Sequence, residues 1–328
     1  MFSELVVAYL FLGGTGAGTC AVTAVLGLAA DGEEMRRAVA VRFRDDDGRL
    51  YGEFFGTALI WAIGALVLGM ICLMADVGRP DRLLLLAAAG PTSYLAVGAW
   101  ALCGCLLLAG VLVLAWRGLV PASLLYLRAL CGLLLAAAVI TAAYTGLLLA
   151  DMASVPLWHS PWLPPLFVVS SLSCGVALVQ MSASFGRAAT AFRATLRVLI
   201  RVDGLLIVAE AAVLAAWLAS VWAGAGAGLS AGALTATDQA ALASAHLLLE
   251  GSCAPLFWLG LVGVGLAVPF VADVVMMRGV AGGRSCTLGA LSFRSALLGS
   301  AFCVLVGGVC LRAAVVAAAV LPTVAAFL

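Results

Sequence analysis

The side chains in this chain that are able to move protons are few, and most of them fall near one end of a long apolar run. Counting along a helix at 1.5 Å per residue, Asp76 lies 23 residues from Glu53, Tyr144 and Asp151 lie 16 and 23 from Arg128, and Arg312 lies 18 from Arg294. Glu250 and His246 precede Arg278 by 28 and 32 residues. These separations put all six in one layer, in or just beyond the outer part of an apolar slab about 30 Å thick, together with Arg79, Glu4 and Tyr9. Acids, a phenol and an imidazole at one depth can hydrogen-bond the two ring oxygens of a hydroquinone and accept its protons. His246 and Glu250 are four residues apart, on one helical face, where the carboxylate can orient the imidazole. The plainer reading is that helix-end groups snorkel or cap and that such spacings arise by chance.

Glu210 stands apart. It lies nine residues past Arg201, about 13 Å into an apolar run, where an ionised carboxylate is costly. It must be protonated, paired or lining a wet path, so a proton relay and a hydrogen-bonded neutral acid are both open. Asp203, Asp273 and Glu53 are expected at the boundary, where solvation suffices.

The elements that must position these groups follow from composition. Of 328 residues, 65% are apolar and 10% charged, and the mean hydropathy is +1.20, far above a water-soluble domain. Apolar runs at about 5–29, 54–75, 93–116, 129–150, 165–186, 204–224, 241–272 and 295–321 predict eight membrane crossings in a single polytopic domain spanning 1–328. No length remains for a sizeable soluble head. The first run lacks a basic leader and carries glycines in its middle, so it reads as a retained helix. Its strip Gly13-Gly14-Thr15-Gly16-Ala17-Gly18 permits close packing against a neighbouring helix or a flat ligand, helix packing being the simpler cause. The seventh run exceeds one crossing, and Gly251 and Pro255 either kink it or separate an interfacial turn from the span.

Lysine is absent, and fourteen of the 17 arginines fall in the connections after helices one, three, five and seven. Positive-inside bias then places those connections in the cytoplasm and both termini outside. The connection Ser154–Pro165 is rigid and aromatic, which suits a headgroup belt or a docking surface. Only two histidines occur, His159 and His246, which is too few for the paired axial ligands of a di-haem cytochrome. No C-x-x-C occurs among the ten cysteines, so neither an iron–sulfur cluster nor a structural zinc is expected, and the chain reads as metal-free. Nothing in it suggests nucleic acid.

Several stretches carry a family resemblance. They are Tyr9-Leu10-Phe11-Leu12-Gly13-Gly14, Asp76-Val77-Gly78-Arg79-Pro80, Pro91-Thr92-Ser93-Tyr94 with Gly98-Ala99-Trp100, and Tyr144-Thr145-Gly146-Leu147-Leu148 leading to Pro156-Leu157-Trp158. Pro164-Pro165-Leu166-Phe167, Phe257-Trp258 with Pro269, and Gly307-Gly308-Val309-Cys310-Leu311-Arg312 complete them. In this order they span nearly the whole chain, which resembles the membrane subunits of polysulfide reductase, the NrfD-like family. The resemblance implies an eight-helix, all-α subunit of the inner membrane without haem or iron–sulfur cluster. Such a subunit exchanges electrons between membrane quinone (menaquinone or ubiquinone) and an extracytoplasmic ferredoxin-like subunit with four clusters. That partner serves a molybdopterin enzyme or a multihaem cytochrome. By resemblance Tyr144 corresponds to a quinone-site tyrosine, and Asp76 and Arg79 fall in a motif at the same face. The family's polar ligands in the first helix are replaced by Thr15, Thr19 and Cys20.

The leading expectation is therefore a quinol-binding membrane anchor. Tyr144, Asp76, His246, Glu250 and Asp151 would bind the headgroup or take its protons, Arg79 and Arg312 would balance nearby carboxylates, and Glu210 would mark a possible proton path. One rival is a secondary transporter or proton channel built on Glu210 and the outer acids. Another is a purely structural tether for a redox complex.

Overall fold

A computed structural model describes residues 4–40, 46–77, 94–152, 154–185, 191–230, 235–281 and 290–320. All the regular structure among them is helical: α1 (Glu4–Ala29), α2 (Gly32–Ala40), α3 (Asp46–Val77), α4 (Tyr94–Trp116), α5 (Leu124–Ala150) and α6 (Leu163–Ser184). There follow α7 (Arg193–Ser230), α8 (Ala236–Leu249), the π-helical α9 (Leu256–Ala267), α10 (Val268–Ala281) and α11 (Ala290–Ala317). Among the described residues, eight segments are long and apolar enough to cross a membrane, with α9 and α10 joined into one of them. An even number of crossings leaves the ends of α1 and α11 on one face. The other face carries most of the arginines and is called the arginine-rich face below.

The spans face lipid with large apolar side chains and turn small and polar ones inward. Leu107, Leu205 and Leu259 are among the most exposed residues, whereas Thr19, Ser170, Ser171 and Gln180 are buried. Between helices in lipid there is no hydrophobic drive to associate, so close van der Waals packing and internal hydrogen bonds must hold the bundle. The first four spans, α1, α3, α4 and α5, pack on one another, and the last four, α6, α7, α9–α10 and α11, form a second group. α1 and α6 join the two. Their most apolar stretches are 67% and 78% buried, against 28% for α3, α4 and α7, which makes them the central pair.

The glycine strip of α1 serves packing. Gly18 and Gly175 bring the backbones of α1 and α6 so close that a Cβ on Gly18 would run into the carbonyl of Ser171, and one on Gly175 into Gly18 itself. This is small-residue packing, with α6 supplying the complementary glycine.

Three boundaries differ from the sequence expectation. α3 begins at Asp46 rather than about 54, and α7 begins at Arg193 rather than about 204. In both cases the helix runs past the apolar slab through charged turns, which hydropathy does not register. The long seventh run divides, as Gly251 and Pro255 allow. α8 starts in a capping box, with the Thr235 side chain accepting from Asp238 and the Asp238 carboxylate accepting from Thr235, and ends at Leu249. Those hydrogen bonds hold the exposed Asp238 carboxyl below its usual range. The crossing itself is Leu256–Arg278. The aromatic connection also turns inward in part: Leu157 and Trp158 are buried, and the Trp158 indole donates to the Val315 carbonyl at 2.9 Å, while Trp162 stays exposed.

Gly18→Val should therefore destabilise the bundle by about 3 kcal/mol, the upper end for overpacking. Gly64→Ala, whose Cβ would meet nothing within 4 Å, should leave the thermal midpoint unlowered, since alanine is the better helix former. Equal midpoints for the two variants would contradict the α1–α6 contact.

Candidate functional site

The most heavily built polar centre lies inside the bundle, at Arg312 of α11, which is 0% exposed. Its Nε donates to the Leu10 carbonyl of α1 at 3.1 Å, and Nη1 donates to the Gly308 carbonyl at 2.9 Å and to Ser170 Oγ at 3.2 Å. Nη2 donates to Ser171 Oγ at 3.0 Å, and the Phe11 and Phe167 rings lie 5.8 and 5.4 Å from the guanidinium carbon. The planar fork of arginine thus ties α1, α6 and α11 together through neutral acceptors and aromatic faces. Gly14 makes room for it, since a Cβ there would stand 2.7 Å from Nη2 and 2.6 Å from Ser171 Oγ.

Glu210 of α7 faces the same centre and is 5% exposed. Ser170, which accepts from Arg312, lies within hydrogen-bonding reach of the Glu210 carboxylate, and the guanidinium and carboxylate interact electrostatically. A cation, a hydroxyl and a carboxylate therefore meet in one buried cluster. The sequence singled out Arg312 and Glu210 separately and missed the serines that join them. The signal was present: Ser170-Ser171-Leu172-Ser173-Cys174-Gly175 clusters hydroxyls and a glycine inside an apolar run, the signature of a central, polar-faced membrane helix.

Tyr144 occupies a second centre, nearer the face opposite the arginines. It is 6% exposed, lies with Tyr9, Leu157, Trp158 and Phe167 in one core cluster, and its hydroxyl is within hydrogen-bonding reach of the Tyr9 hydroxyl. Gly98 of α4 forms the slot for its ring, because any Cβ there would overlap the ring carbons. Thr15, one turn above Thr19 on α1, is buried with its hydroxyl unpartnered, while Thr19 and Thr23 bond the carbonyls of their own helix.

The remaining candidates are placed elsewhere. Asp76, in the last turn of α3, is exposed, and Asp151 is the exposed C-cap of α5. His246 and Glu250 do meet, with Nε2 and Oε2 2.9 Å apart, but their side chains are 69% and 72% exposed. α8 ends between them and the crossing, so a residue count back from Arg278 overstates a continuous helix. Arg79 lies outside the described residues. Two acids expected at a solvated boundary are instead inside: Asp203 and Asp273 are both 0% exposed, whereas Glu53 is exposed as expected. Among the described residues, no group of three or more His, Cys, Asp or Glu side chains is placed to hold a metal ion. A cavity of about 910 Å³ opens at the arginine-rich face, lined by Tyr51, Phe54, Phe55 and Phe192 with Asp31 and Arg37 at its polar edge.

These features define a polytopic helical membrane protein whose central helix carries a hydroxyl seam binding a buried cation and acid. The chain belongs to the polysulphide reductase NrfD family, whose model matches residues 1–325. Members of that family are membrane subunits of quinone-linked oxidoreductase complexes. No curated protein matches the chain.

Removing a buried cation around which hydrogen-bond acceptors are arranged costs about 3–5 kcal/mol, because those acceptors are left unsatisfied. Arg312→Met should lose that much, read as loss of folded protein from membranes, and Ser171→Ala about 1 kcal/mol. Arg312→Met combined with Glu210→Gln should recover part of the loss. A double variant no better than the single one would contradict the coupling of the two groups.

Proposed function

We propose that this chain is the quinol-binding membrane subunit of a respiratory oxidoreductase complex. In this reading it passes electrons from quinol on the extracytoplasmic side to a ferredoxin-like iron–sulfur subunit, which serves a molybdopterin or multihaem partner. The observation that carries the reading is the family match across residues 1–325. The arginine bias supports placing the arginine-rich face in the cytoplasm and the Tyr144 centre near the outer side.

The chemistry of the Tyr144 centre fits a quinol. When bound, a quinol supplies two electrons and two protons. Tyr9 and Tyr144 lie on neighbouring helices with their hydroxyls within reach of each other, so when Tyr9 donates to Tyr144, the Tyr144 proton is the one offered to a ring oxygen. The low polarity around them, from Leu157, Trp158 and Phe167, excludes water and fixes both rotamers. Asp76, exposed at the end of α3, receives a proton and releases it to the aqueous side. His246 and Glu250 form an exposed pair suited to passing protons onward or to meeting the iron–sulfur partner, with Asp151 at the same face, and Arg79, three residues after Asp76 in the sequence, would balance a nearby carboxylate.

Tyr144→Phe should lower quinol-linked electron transfer at least tenfold while the complex still assembles, and Asp76→Asn should do the same. Unchanged turnover in both defeats the site assignment. Substrate flux by the isolated chain would favour a transporter instead, and failure of the purified chain to bind a quinol-site inhibitor would favour a structural tether.

The burial of Glu210 beside Ser170 favours a second role, in which this carboxyl carries protons within the bundle. Glu210→Gln keeps an acceptor for Ser170 but cannot release a proton. Proton uptake coupled to quinol turnover should fall at least tenfold in that variant with assembly intact, and unchanged uptake would remove Glu210 from the path.

A further inference from the structure

Asp203 of α7 and Asp273 of α10 are the two acids whose placement the sequence did not foretell. Both are fully buried on helices that pack against each other, and they are close enough for their charges to interact. Each has one oxygen accounted for: Ser173 donates to Asp203 Oδ1 at 3.3 Å, and Ser300 donates to Asp273 Oδ1 at 3.4 Å. Each also has one oxygen left over, since Asp203 Oδ2 and Asp273 Oδ2 are buried without a hydrogen-bond partner in the protein. An orphaned buried carboxylate oxygen is costly, and two neighbouring ones are costlier, because two like charges would face each other in an apolar interior.

We propose that Asp203 and Asp273 form a cation site that holds a single proton between their two free oxygens. One carboxyl then donates through Oδ2 and the other accepts, which gives both orphaned atoms a partner and leaves one negative charge instead of two. The donor set decides the class of cation. The serine hydroxyls already donate to the Oδ1 atoms, which leaves the two Oδ2 atoms as the carboxyl oxygens without a partner, a demand that one proton meets and that falls short of the six or more oxygens a hard divalent ion takes. The other titratable groups around the pair are Glu210, two turns further along α7, and the Cys174 thiol beside Ser173. Arg201 and Arg278 are exposed toward the arginine-rich ends of the same helices, and Arg294 begins the α11 span. The site is independent of where the quinol binds, since it is built on α7 and α10 of the second helix group, whereas Tyr9 and Tyr144 stand on α1 and α5 of the first.

Dicyclohexylcarbodiimide, which modifies protonated carboxyls in apolar surroundings, tests this in membranes containing the full chain, with the labelled residue mapped by mass spectrometry. One label per chain is expected, on Asp203 or Asp273 and never both, declining as pH rises and unchanged by sodium ions. In Asp203→Asn the amide N–H takes the place of the shared proton, so labelling of Asp273 should fall at least tenfold, whereas in Ser300→Ala it should persist. Two labels on one chain, no label on either residue, protection by sodium, or full labelling of Asp273 in Asp203→Asn would each overturn the proposal. The stoichiometry and sodium arms use the unaltered chain and hold even if the Asn variant does not fold.

Discussion

A fully buried guanidinium is the constraint around which the bundle is arranged. Arg312 cannot shed its charge, so every neighbour must contribute an acceptor, an aromatic face or room. α1 contributes the Leu10 carbonyl and the space at Gly14, α6 contributes Ser170 and Ser171, and α11 contributes its own Gly308 carbonyl. α7 brings Glu210 to Ser170 from the other side. These demands explain why the two most buried spans are also the ones rich in glycine, serine and threonine. In lipid, where apolar contact alone does not favour one helix arrangement over another, such polar ties specify which helices meet and in what register.

Much of the architecture is legible along the chain. Apolar run length yields the eight crossings, and the glycine strip of α1 reads correctly as a packing surface. Run length fails where helices continue through charged turns, as at Asp46–Glu53 and Arg193–Arg201, because hydropathy reports the slab and not the hydrogen-bonded helix. It also fails to say which of two breaks occurs near Gly251, since a kink and a separated interfacial helix have the same composition.

Depth counting has a sharper limit. It gives distance along a helix axis but not the angle around it, so it groups residues that point in different directions. Tyr144 and Arg312 turn inward, whereas Asp76, Asp151, His246 and Glu250 are exposed. The same blindness hid Asp203 and Asp273, which sit near arginines in sequence yet face the interior. What marked them was not their depth but their partners, Ser173 and Ser300, on other helices.

The two ends of the molecule offer different surroundings to a lipid-soluble ring. Near one face stand two neighbouring phenols in a tight core, and at the arginine-rich face there is an aromatic-lined cavity. In the proposed function the ring binds at the phenols. Photo-crosslinking with an azidoquinone in native membranes, followed by peptide mapping, measures this directly. Binding at the phenols gives adducts on α1 and α5 around Tyr9 and Tyr144, whereas adducts confined to Tyr51, Phe54 and Phe192 would put the ring in the cavity at the arginine-rich face instead.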